Sequence, residues 1–307
     1  MIGFAADTNE EIRDLAKKVA QGLILKMSSF CVKEVLPHLL NGLENEQNWR
    51  IKISYIWILG IMANSSARQL QTSLPIIVPT ISASLSDAHP TIKEKAAEAL
   101  SLIGETIKNP EISSSVETLI DALQNPFEKS EKALDILLKT RFSHFIDPPS
   151  LSIIIPIVDY CLRGRSSELK AGACQVTGSI CELIQNPHDL LPYLKLITGG
   201  LRIALCDPLP EIRSIASMAI GKISAKVGAE AAEKYFRFVL DIIETAGSNT
   251  TEKQGAAQAY SEIICSQDFE YFEESLNKIF DKLNAAKTNQ KEGYILVFLY
   301  VPGIRKD

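Results

Sequence analysis

Three stretches of this chain are variants of one phrase: AADTNEEIRDLAKKVAQGLI from Ala5, LSDAHPTIKEKAAEALSLI from Leu85 and LCDPLPEIRSIASMAIGKI from Leu205. Aligned, they place Ile12, Ile92 and Ile212 in one column. Each is followed by a cation (Arg13, Lys93, Arg213) and preceded five residues earlier by an acid (Asp7, Asp87, Asp207). Steps of about 40 residues reach weaker copies at Ile51-Lys52, Leu169-Lys170, Glu252-Lys253 and Lys291-Glu292, with a degenerate one near Ser130. A period of this size means that the chain is an array of supersecondary units, none of which can bury its apolar face alone.

After each anchor comes an apolar stripe at helical spacing, such as Ala96, Leu100, Ile103 and Ile107, or Ile215, Ala219, Ile220 and Ile223. Before each comes a second stripe, such as Val35, Leu36, Leu39, Leu40 and Leu43, or Leu276, Ile279, Phe280 and Leu283. Each unit therefore reads as a helix pair. An Asp at the turn accepts bonds from the free N–H groups that open the second helix, and Pro90 and Pro210 stand where a missing donor costs little. The cation of the phrase reaches the Asp of its own or a neighbouring unit, which gives a structural ladder of ion pairs. Pro37, Pro75, Pro79, Pro156 and Pro192 fall in the first helices and should bend them.

A bent first helix followed by an Asp-x-x-x-x-aliphatic-Arg turn marks HEAT repeats. The expected fold is all-α: a HEAT-repeat α-solenoid, a right-handed superhelix of antiparallel helix pairs, with about seven repeats. The first would be represented only by its second helix. The expected organisation is one solenoid segment over 1–307, with approximate repeats 1–30, 31–68, 69–109, 110–146, 147–186, 187–229, 230–267 and 268–307. The beginning within a unit, and the apolar close GYILVFLYVPGI from Gly293, suggest a segment of a longer solenoid.

The search for chemistry is nearly empty. His38, His89, His144 and His188 fall in four different units without metal-ligand spacing, so no metal site is expected. The six cysteines (Cys31, Cys161, Cys174, Cys181, Cys206 and Cys265) lack C-x-x-C spacing and read as small core residues of a reducing compartment. Phosphate-binding and nucleophile-elbow motifs are missing, and LITGGL from Leu196 reads as close helix packing. No enzyme activity, cofactor or small-molecule substrate is expected. No apolar run spans the roughly 20 residues that a bilayer requires, so no membrane association is expected and the cytoplasm is the default location. A net charge of −5, with 9 Lys+Arg against 13 Asp+Glu over 229–307, confines any polyanion contact to local patches.

One such patch is LLKTRFSHFIDPPSL from Leu137, where Lys139, Arg141 and His144 accompany Phe142 and Phe145 before Pro148-Pro149. A basic stretch interleaved with aromatics suits RNA or an acidic protein surface. The alternative buries both phenylalanines and leaves the cations facing solvent. CLRGRSSELK from Cys161 adds Arg163 and Arg165 one unit later, expected on the same edge of the array.

The stretch from Lys139 to Leu194 resembles the HEAT region shared by fungal elongation factor three and the general-control translational activator of the Gcn-one type. LCDPLPEIRSIASMAIG, EKQGAAQAYSEII and EGYILVFLYVP resemble the activator more specifically, and earlier VLPHLLNGLENEQNWRIKISYIWILGIMA and GETIKNPEI also fit. The resemblance implies a non-catalytic scaffold that associates with ribosomes and with an ABC-type ATPase partner. It would promote activation of the eIF2-alpha kinase in amino-acid starvation, the kinase being bound through another region of the full-length protein. Two further readings stay open: a HEAT adaptor for protein cargo or phosphatase subunits, and an elongation-factor-three-type protein. The ending GIRKD falls outside the resemblance.

Overall fold

The computed structural model describes residues 2–65, 70–245 and 247–304; the expected repeat boundary at 68/69 and Arg305, Lys306 and Asp307 of the ending GIRKD lie outside these. Among the described residues the chain is helical throughout, without a β-strand. In order, the helices are α1 (Ile2–Ala5), α2 (Glu10–Leu25), α3 (Ser29–Asn45), α4 (Trp49–Ser65), α5 (Leu74–Ser84) and α6 (Pro90–Gly104). Then come α7 (Pro110–Ser113), α8 (Val116–Gln124), α9 (Pro126–Lys139), α10 (Pro148–Arg163), α11 (Ser167–Glu182) and α12 (Leu191–Leu205). The chain closes with α13 (Pro210–Val227), α14 (Ala229–Glu244), α15 (Thr250–Cys265), α16 (Phe269–Ala285) and α17 (Thr288–Ile304).

Helix starts follow capping chemistry. Asn9, Ser28, Asn109, Ser166 and Asp268 each accept a backbone N–H of the first turn, and Asn249 forms a reciprocal capping box with Glu252. Three of the five prolines expected to bend first helices (Pro37, Pro79 and Pro156) do lie inside them. Pro75 and Pro192 instead occupy the first turn of α5 and α12, where the missing N–H removes nothing.

The chain forms two compact units. In the first (Met1–Ala133 with Ile146–Ile157), α3 pairs with α4 and α5 with α6, while the second helices α2, α4 and α6 pack side by side. Close approach there needs a residue without a side chain: a Cβ on Gly60 of α4 would lie 3.1 Å from Ala99 Cα of α6. In the second (Leu134–Phe145 with Val158–Asp307), the hairpins are α12/α13, α14/α15 and α16/α17, and α11, α13, α15 and α17 form the matching layer of second helices. Its core is aliphatic and small, with Ala173, Ala216, Ile220, Ile223, Ala256, Ala257 and Val297 at 2% exposure or less. Helix pairs stacked through such a layer are the HEAT-repeat architecture.

Candidate partner-binding surface

The anchor residues hold the repeats together, which separates them from the surface available to a partner. Oδ1 of Asp7, Asp87 and Asp207 accepts the backbone N–H of the residue two positions on, at 2.8, 2.9 and 3.1 Å. The Asp thus orders the turn one step before the cap. The capping residue proper is Asn9 or His89, whose side chains accept from Glu11 and Thr91 N–H, while Leu209 makes no side-chain cap bond. This shifts the expected capping role by two residues, an Asx-turn in place of a direct N-cap.

The cation column divides by residue type. Arg13 and Arg213 turn back: Arg213 Nη1 donates to the carbonyls of Asp207 and Pro208, and Arg13 Nη1 to those of Asp7 and Thr8, while Arg213 Nη2 also reaches forward to Gln254 Oε1 of the next unit at 3.0 Å. Lysine reaches forward to the next unit, Lys52 to Asp87 at 3.3 Å, Lys170 to Asp207 at 2.8 Å and Lys253 to Glu292 at 3.4 Å. A planar fork with several donors satisfies two loop carbonyls, whereas an ammonium on a flexible stem spans the gap to one carboxylate. Lys93 is exposed and in none of the ion pairs among the described residues. Burial pushes the Asp207 carboxyl up, but the Lys170 ammonium, the Leu209 N–H and the nearby Arg213 outweigh it, and the net shift is down. For Asp87 the His89 N–H leads and lowers it, with Lys52 adding to this against burial.

The candidate partner residues all fall in the second unit, but the structure places them at two sites. Lys139 ends α9, and Arg141 and His144 follow in the exposed segment before α10, whereas Arg163 ends α10 and Arg165 lies in the next turn. The 16 residues of α10 lie between the two groups in the chain, a helix about 24 Å long at 1.5 Å per residue. The expectation of one shared edge is corrected: the first group sits in a turn between repeats, the second in a turn within one. Lys139 pairs with Asp135 at 2.6 Å. Arg163 Nε donates to both carboxylate oxygens of Asp159 at 2.9 Å, an interaction that holds its guanidinium above the usual range. Arg163 also lies on the backbone of Gly199, where a Cβ would meet Nη2 at 2.8 Å, and Gly200 abuts Leu162 in the same way. LITGGL is therefore close packing, as expected. Phe145 is 63% exposed and Phe142 partly buried, so the reading that sends both into the core fails at Phe145.

Burial pushes the thiols of Cys161 to about 11 and of Cys174 and Cys181 to about 12, the environment of inert core residues. Among the described residues, no group of His, Cys, Asp and Glu could hold a metal ion, and no helix is long and apolar enough to cross a membrane.

A second surface went unmarked in the sequence. In the first unit, a cleft of about 480 Å³ is lined by α2, α4 and α6, with Lys17, Trp49, Arg50, Trp57, Lys95 and Glu98 among its walls. Trp49 opens α4 and stacks on His89, centroids 4.3 Å apart and planes at 15°, with Arg50 Cζ 4.9 Å from the Trp49 ring centroid. The available signal was that the chain's two tryptophans stand eight residues apart on one second helix.

The protein is thus a HEAT-repeat protein. Residues 1–100 match the family described as EF3 N-terminal HEAT repeat, and residues 128–234 the family described as Elongation factor 3/GNC1 HEAT repeat. The chain belongs to this elongation factor 3/GCN1 HEAT-repeat family. It is 36% identical over 296 residues, 96% of its length, to the eIF-2-alpha kinase activator GCN1 of Dictyostelium discoideum. It is likewise 36% identical over 299 residues to the stalled ribosome sensor GCN1 of Homo sapiens. In each case the match spans 11% of the relative. Elongation factor 3 of Gonapodya prolifera is 30% identical over 75% of this chain and 22% of its own.

Proposed function

We propose that this chain is the elongation-factor-3-like segment of a GCN1-type translational activator. Its role is that of a non-catalytic cytoplasmic scaffold, one HEAT array that contacts the ribosome while the larger protein promotes activation of the eIF2-alpha kinase. The observation that carries this reading is the extent of similarity: 36% identity over 96% of the chain to GCN1, against 30% over 75% to an elongation factor 3. An ABC-type ATPase is the protein partner proposed for this segment, and the kinase is engaged through another region. Lys139, Arg141, His144, Arg163 and Arg165 are the proposed contacts, with Arg141 and Arg165 the most available.

Co-sedimentation of the chain with purified ribosomes across a salt series tests this. Binding should weaken steeply as salt rises, because each phosphate neutralised releases condensed counterions. It should weaken further in an Arg141→Glu, Arg165→Glu variant. A chain that stays in the supernatant at low salt while the ribosomes pellet would overturn the ribosome contact.

A further inference from the structure

The cleft between α2, α4 and α6 has the chemistry of a polyanion site on an acidic chain. Four cations line it (Arg13, Lys17, Arg50 and Lys95) against one carboxylate, Glu98, and Lys95 Nζ covers both oxygens of Glu98 at 2.6 and 2.7 Å. Arg13 is held by loop carbonyls. Lys17 and Arg50 enter no ion pair among the described residues and are the cations left for a ligand. The first turns of α4 and α6 meet here, since Trp49 opens one and His89 caps the other, and their N-terminal ends add positive potential.

The aromatic part stands out from the repeat core. The repeat core is built from Ile, Leu and Ala, yet Trp49 is 37% exposed, and with His89 and Arg50 it makes a set of flat groups at the mouth of the cleft. Trp57 lies farther along the same helix. An acidic peptide would use the cations and gain little from the rings, whereas an unpaired nucleotide uses both, its phosphate on a cation and its base against an aromatic face. The volume lies within the about 300–1,000 Å³ of ligand clefts and suits a base and its sugar-phosphate rather than a duplex.

We propose that this cleft binds unstacked nucleotides of single-stranded RNA, with phosphates on Lys17 and Arg50 and a base against the Trp49–His89 stack. That the strand is RNA rests on the ribosome reading above; the stacking and charge chemistry does not.

The chain carries its own probe, because both of its tryptophans line the cleft. Intrinsic tryptophan fluorescence is titrated with short oligouridylate at several salt concentrations, with oligothymidylate and a polyglutamate peptide in parallel. Saturable quenching by oligouridylate is expected, with Lys17→Glu and Arg50→Glu each weakening it and flattening the log–log salt dependence by about 0.7 for every phosphate no longer neutralised. Trp49→Ala should weaken binding without changing that slope, and Trp49→Phe should restore most of it. Far-UV circular dichroism checks the fold of each variant. Lys17→Glu, at a half-buried lysine outside the stack, keeps the test decisive if Trp49→Ala unfolds.

No quenching at low salt, or quenching by polyglutamate as strong as by RNA, would overturn the proposal. Equal binding of oligothymidylate would overturn its RNA part. Ribosome co-sedimentation unaffected by Lys17→Glu, in a chain that also fails to bind oligouridylate, would remove the cleft and leave the ribosome reading in place. Oligouridylate binding without co-sedimentation would do the reverse.

Discussion

Replacing Asp207 by Asn should be among the costliest polar substitutions in the second unit. The carboxylate side chain is 4% exposed and its partner Lys170 is 14% exposed, at 2.8 Å. Removing one member of a buried pair strands the other, at about 3–5 kcal/mol where burial is complete. Lys170 retains some solvent and the amide oxygen still accepts from Leu209 N–H, so about 2–3 kcal/mol is expected. The equivalent Asp87→Asn removes a 3.3 Å pair whose members are 24% and 22% exposed; about 1 kcal/mol is expected there. The pH dependence separates the charge from the shape. The folded carboxyl titrates below its unfolded value of about 3.9, so its stabilisation is fully present above that value and is lost as pH falls through the folded one. The gap between the native chain and Asp207→Asn should be complete at pH 7 and should begin to close below about pH 4. Urea unfolding followed by far-UV circular dichroism measures the gap. Hydrogen exchange over α11 and α13 localises it, because an array need not unfold as one piece. A difference under about 0.5 kcal/mol at pH 7, the level of an ordinary surface substitution, would refute the reasoning. So would a gap that persists unchanged at pH 3.

Two glycines predict opposite signs. A Cβ on Gly255 would lie 2.0 Å from the Leu205 carbonyl oxygen, so Gly255→Ala must push α15 away and should cost about 3 kcal/mol in the same unfolding assay. Gly22 on α2 has nothing within 4 Å of its would-be Cβ, and Gly22→Ala should stabilise by about 0.5–1 kcal/mol. Cysteine labelling at pH 8 should modify exposed Cys31 promptly and leave Cys161, Cys174 and Cys181 unmodified until denaturant is added. Prompt labelling of those three would refute their burial.

The period and its anchors made the helix pairs legible because stacking repeats the same physical problem in every unit, and the same residues solve it. What the column did not reveal was direction: Arg13 and Lys52 occupy equivalent positions, yet one closes its own loop and the other holds the next unit. That difference comes from side-chain geometry and appears only once the neighbouring carboxylate is placed. The small residues that let second helices approach, Gly60 and Gly221 among them, were also in the sequence, nine positions after Ile51 and Ile212. The partner surface was less legible for a physical reason. Surface residues carry no periodicity, so Arg141 and Arg163 looked like neighbours when a helix separates them, and the Trp49 cleft is assembled from three helices far apart in sequence.

The same packing separates cations that a polyanion could recruit from those it could not. Arg213 is buried and Lys170 half-buried, and both are bound to groups that would be stranded without them. Turning either toward a phosphate would break the joint between units before any new bond formed. Lys139 differs, since its pair with Asp135 is exposed on both sides and joins residues one helical turn apart. Such a pair holds only about 0.3–0.5 kcal/mol, less than the about 1.5–3 kcal/mol of a hydrogen bond to a charged group. A phosphate would therefore win Lys139 from Asp135, while Arg163, seated on Gly199 and bound through Nε to both oxygens of Asp159, would resist. Charge reversal at Lys139 should thus weaken ribosome co-sedimentation without moving the unfolding midpoint, whereas reversal at Arg163 should disturb both. Equal effects of the two on stability would show that this division of the cations is wrong.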